Sequence, residues 1–132
     1  MNWGNTPFLF SDKPHTIATS DDFLLVIPQG ILTKQQLLAH YASAGSFPSY
    51  FGHNWDALEE CLGDLSWIRP QRILIVHEDL PLANDDQQCR VYLDILAGAV
   101  ELWNGDKSHG MLVVFPSTFL AAVSPLVSKN RR

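Results

Sequence analysis

The sequence predicts an α/β fold, a small three-stranded parallel sheet packed with helices, and three observations predict it. Three short apolar runs, Phe23 to Pro28 (FLLVIP), Arg72 to His77 (RILIVH) and Met111 to Phe115 (MLVVF), are continuous rather than alternating, as in strands buried on both faces. The stretches between them repeat apolar residues at helical spacing. The order strand, two helices, strand, helix, strand supplies the long crossovers that parallel neighbours need. At 132 residues and 46% apolar, the chain suits one globular domain.

Residues 1–22 mix Pro, Ser, Thr, Asp and aromatics without period. They read as an N-terminal extension able to lay Trp3 or Phe8 to Phe10 against the body. The first strand closes at Pro28-Gln29-Gly30. Thr33 to Ala44 reads as a helix: Thr33 and Gln36 have capping-box spacing, Leu37, Leu38 and Tyr41 form its stripe, and Gly45 suits a left-handed C-cap. A second helix starts near Trp55 with Asn54 as N-cap, burying Trp55, Leu58, Leu62 and Leu65. After the second strand, a long helix capped within Asn84 to Asp86 carries the stripe Cys89, Tyr92, Leu93, Leu96, Val100, Trp103 and stops at Asn104-Gly105. The third strand follows. Residues 23–123 make the domain, and 124–132 read as a mobile basic tail.

Charge and missing motifs exclude several functions. Net charge is −5, and residues 1–128 set six cations against fourteen acids, so the body repels nucleic acid and no direct nucleic-acid partner is expected. No apolar run approaches the roughly 18 residues of a membrane span, and no basic region precedes the apolar patch near the start. A cytoplasmic protein, neither membrane-bound nor secreted, is the expectation. Cys61 and Cys89 lie in helical stretches without a CxxC pair and read as small buried thiols. GxGxxG, Walker, GxSxG and HExxH motifs are absent, and no two histidines stand three or four apart. No catalytic residue, metal or cofactor is therefore assigned. His77-Glu78-Asp79, ending the second strand, occupies the place where ligands gather in open α/β sheets, but the simpler and preferred reading is a solvated strand-to-helix loop.

One segment demands explanation. No Lys or Arg lies between Lys34 and Arg69, while Asp56, Glu59, Glu60 and Asp64 crowd one helix. Like charges at such spacings cost about 0.2–0.5 kcal/mol per pair. The helix dipole favours Asp56 and Glu59 in or near the first turn, but not Glu60 and Asp64. Tyr50, Phe51, Trp55 and Trp67 bracket the acids, the composition of an interface hot spot ringed by charge. Paired carboxylates also serve acid and base catalysis, here with a folded-in histidine such as His53. An exposed acidic helix suits a third use, imitating nucleic-acid phosphates to a basic protein.

The run SYFGHNWDALEECLGDLSW resembles the signature of the barstar family, intracellular inhibitors of barnase-type ribonucleases. That signature is an aromatic pair, Gly, any residue, Asn, an apolar residue, Asp-Ala-Leu, any residue, an acid, Cys-Leu, and Tyr50 to Leu62 match nearly all of it. The order of elements from about Phe23 to Pro116 also matches the family's fold. The resemblance implies a barstar-like three-stranded sheet, no catalysis, and a monomer that binds a basic, extracellular-type ribonuclease or related toxin. By position it implies that Asp56 enters the ribonuclease active site, that Glu60 meets its cations, and that Tyr50 packs at the same cleft beside Asn54 and Trp55. Glu59 replaces a Trp of the best-known member, Glu60 an Asp, and Gly63 to Trp67 a shorter Thr-Gly-Trp. Trp67 is thus an approximate counterpart, and Glu101 a loose one for an acid on the last helix. Glu59 and Asp64 complete the expected face. An adaptor or immunity protein facing another basic partner uses the same residues.

Overall fold

The computed structural model describes residues 3–45, 47, 54–64, 72–104 and 110–127. Four strands, β1 Leu9–Ser11, β2 Phe23–Ile27, β3 Arg72–His77 and β4 Gly110–Pro116, form one parallel sheet in the order β1-β4-β3-β2. Helices α1 (Lys34–Ala44) and α2 (Trp55–Asp64) lie between β2 and β3 in the chain, α3 (Asp86–Asn104) between β3 and β4, and the one-turn α4 (Leu120–Val123) after β4. Among the described residues, no helix is long and apolar enough to cross a membrane.

The three expected strands are present, and among the described residues β1 corrects their number to four. It is too short to show a period in the sequence, and its partner is remote: Leu9 registers with Val114 and Phe10 with Phe115. Alternation across the sheet explains why it docks. Phe8 and Phe10 are fully buried on the helix side, with ring centroids 5.5 and 6.0 Å from that of Phe115. Leu9 turns to the opposite face and joins Leu74, Val76 and Val114.

That opposite face is thinly covered. Ile17 and Ala18, in and just after a 3-10 turn at Pro14–Ile17, pack on it. β2 is therefore not buried on both faces as its apolar run suggests: it is an edge strand, and Leu24 is 41% exposed. β3 has a strand on each side and is buried from Ile73 to His77. Arg72 joins the start of β3 to the chain before β2. Its guanidinium meets both Asp22 carboxylate oxygens at 2.8 and 2.6 Å and donates to the Ile17 carbonyl at 3.2 Å. These charge-assisted bonds hold the Asp22 carboxyl down at about 2.

The helix ends follow the sequence with one correction. Thr33 and Gln36 exchange the expected capping-box bonds, the Gln36 N–H to Thr33 Oγ1 at 3.1 Å and the Thr33 N–H to Gln36 Oε1 at 3.2 Å. Asp85 Oδ1 accepts from the Gln88 N–H at 3.2 Å at the start of α3. Gly45, however, has φ −88° and is not left-handed. Glycine is needed there for space, because a Cβ would stand 2.7 Å from Phe47 Cε1 and 2.9 Å from the Tyr41 carbonyl. At the other end of the chain, Ser124–Leu126 forms a 3-10 turn between the buried Val123 and Val127, and Ser124 Oγ donates to the Gly4 carbonyl at 3.0 Å. Residues 128–132 lie outside the described ones.

A directed hydrogen-bond chain crosses the core under β3 and β4. His77 is fully buried and stacked on Phe115, with centroids 4.0 Å apart. Its Nδ1 lies 3.1 Å from the Val114 carbonyl, which can only accept, so Nδ1 carries the proton. Nε2, 2.7 Å from the Tyr92 hydroxyl, then accepts from it, and Tyr92 accepts from Tyr41 at 2.6 Å. Burial pushes the imidazole down to about 3 and both phenols upward, so the whole chain is neutral. An unfolded chain takes up this proton near pH 6.5 and the folded one only near 3. Stability therefore falls as pH drops through that window, by about 1.4 kcal/mol per unit, and is unaffected above it. Urea denaturation at pH 6.5 and 4.5 should show a loss of about 2–3 kcal/mol. His77→Gln, although less stable throughout, should flatten this slope; an unchanged slope would refute the assignment.

Candidate functional site

Helix α2 carries Trp55 and the four acids of the predicted site, Asp56, Glu59, Glu60 and Asp64. Asn54 caps it as expected, Oδ1 accepting the Ala57 N–H at 2.8 Å while the Asn54 carbonyl accepts the Leu58 N–H at 3.0 Å. Leu58, Cys61 and Leu62 are buried and seat the helix on the core. The Trp103 indole N–H donates to the Leu62 carbonyl at 2.6 Å, satisfying an acceptor in the last turn of α2. Leu65, the last expected core position of this helix, lies outside the described residues.

Trp55 is half-buried and held from three sides. Its ring is inclined 30° to that of Tyr92 with centroids 6.3 Å apart, and its indole N–H donates to Gln88 Oε1 at 2.9 Å. The Lys34 ammonium sits 5.5 Å from the ring centroid. The sequence around α2 lacks cations, and this one reaches the Trp55 ring from α1. Gln88 and Lys34 were missed as neighbours because nothing in their spacing relates them to Trp55.

Asp56, Glu59, Glu60 and Asp64 are all exposed. Among the described residues, none of the four is ion-paired; the two salt bridges join Arg72 to Asp22 and His15 to Glu78. Asp56 lies in the first turn, where the helix dipole favours its charge. Glu60, Cys61, Gly63 and Asp64 border a shallow groove. Burial, then the charges of Glu60 and Asp64, raise the Cys61 thiol, and burial brings Cys89 up to about 11. Both cysteines are free and buried, as expected of small core thiols. Glu101 on α3 is exposed. Tyr50 and Trp67, together with His53, lie outside the described residues.

The His77-Glu78-Asp79 segment is a structural joint. His77 is sealed in the core, which corrects the reading of this residue as part of a ligand site or a solvated loop. Glu78 accepts the Gln29 N–H at 3.3 Å and lies 3.1 Å from His15 Nε2, while Asp79 accepts the Gly30 N–H at 3.1 Å. These bonds tie the end of β3 to the turn after β2. Among the described residues, no three His, Cys, Asp or Glu side chains are grouped to hold a metal.

What remains is a rigid, capped helix presenting carboxylates to solvent. Such a surface can bind a cationic protein face through charge-assisted hydrogen bonds. Among protein-family models, the one described as Barstar (barnase inhibitor) matches residues 22–116. No curated protein and no solved structure matches the chain.

Proposed function

The chain belongs to the barstar family, and on that premise we propose that it is a non-enzymatic inhibitor of a barnase-type ribonuclease. It covers the cationic active site of the enzyme with the segment from Tyr50 to Trp67 and competes with RNA. The observation that carries this reading is the exposure of Asp56, Glu59, Glu60 and Asp64 together on one capped helix. Asn54 and Trp55 position Asp56, while Tyr50 and Trp67 add aromatic contact. The free protein is a monomer acting in the cytoplasm, a compartment in which its two buried cysteines are expected to stay reduced. It needs no cofactor.

Titration of barnase activity with the purified protein at low and high salt tests the reading. Tight inhibition is expected, with association slowing as salt screens the acidic face. An absence of inhibition at both concentrations would exclude barnase as the target and favour another basic toxin as partner of the same face.

A further inference from the structure

Leu102 is 60% exposed, more than any other large apolar side chain described. It falls off the buried stripe of α3, whose last turn is anchored on both sides of the chain. Trp103 is bonded to the Leu62 carbonyl at 2.6 Å. Asn104 accepts the Met111 N–H at 3.2 Å and donates to the Met111 carbonyl at 3.3 Å. Leu102 leans over the end of α2: a Cβ on Gly63 would stand 3.3 Å from Leu102 Cδ2. Gly63 borders the groove that Glu60 and Asp64 make acidic, and α3 carries no cation after Arg90. A rigidly mounted apolar side chain thus stands at the rim of an acidic groove.

We infer that Leu102 is an apolar anchor of the partner interface, seated in an apolar patch that Lys and Arg side chains surround. The inference rests on the ribonuclease-inhibitor reading and adds a contact outside the Tyr50 to Trp67 segment. Charge complementarity selects the occupant: the acidic groove beside Leu102 attracts a basic protein and repels an acidic one. The acids steer the encounter, and the buried Leu slows departure. Its anchored helix end leaves little ordering to be done on binding.

Association and dissociation rates with barnase test this for the wild-type protein, Leu102→Ala, Leu102→Gln and an Asp56→Ala, Glu60→Ala double variant, each at two salt concentrations. Both Leu102 variants should dissociate about tenfold faster or more. Their association rates and salt dependence should match the wild type, and their melting temperatures should be unchanged. The double variant should lose the salt dependence instead. Wild-type dissociation of both Leu102 variants would overturn the inference and leave the inhibitor reading intact. A wild-type protein that fails to inhibit barnase would overturn the reading as an inhibitor of that enzyme, in favour of another basic toxin, and with it the inference of a Leu102 contact to a ribonuclease.

Discussion

Asp56→Ala is expected to weaken inhibition of barnase by more than a hundredfold. In the proposed complex the Asp56 carboxylate leaves water and faces the cations of the enzyme's active site. Removing one member of such a desolvated pair strands the other, at a cost of about 3–5 kcal/mol, or roughly two to three and a half orders of magnitude in Kd. Folding is affected far less, because Asp56 is exposed. Its loss removes a favourable interaction with the helix dipole, worth about 0.3–1 kcal/mol. Calorimetric titration together with thermal melting separates the two effects. Wild-type affinity in this variant would sink the assignment of Asp56 to the interface.

Removal of residues 1–21 is expected to unfold the protein or drive it to aggregate, although the family match begins only at residue 22. The segment supplies β1, the fully buried Phe8 and Phe10, and the Ile17-Ala18 cover of the second sheet face. Truncating one such Phe to Ala costs about 3–5 kcal/mol. Whole domains are stable by only about 5–15 kcal/mol. Deletion would also free the β4 edge, an invitation to pair with another chain. Urea denaturation of Phe8→Ala and Phe10→Ala, with size-exclusion chromatography of the deletion, measures this. A truncated monomer that melts like the full chain would show the segment to be dispensable.

These two results probe opposite kinds of information. The α2 surface was legible in the sequence because its signals are local. Asn54 caps the helix, the acids follow within ten residues, and Leu58 and Leu62 mark the buried side by period alone. The capping box of Thr33 and Gln36 and the limits of α3 were legible for the same reason: each is decided by bonds between residues a few positions apart.

Contacts between residues distant in the chain were decided only by the tertiary structure. β1 exists because Phe8 and Phe10 meet Phe115 across more than a hundred residues, and no period in three residues announces that. Gly45 is fixed by the space beside Phe47 and the Tyr41 carbonyl rather than by left-handed backbone. Lys34 reaches Trp55 from another helix, and His77 is sealed by Tyr92, Val114 and Phe115 rather than placed in a ligand site. Period and capping describe what one segment does with its own neighbours. Which buried surfaces meet, and which polar groups they must satisfy, depends on packing among segments that the chain order does not relate.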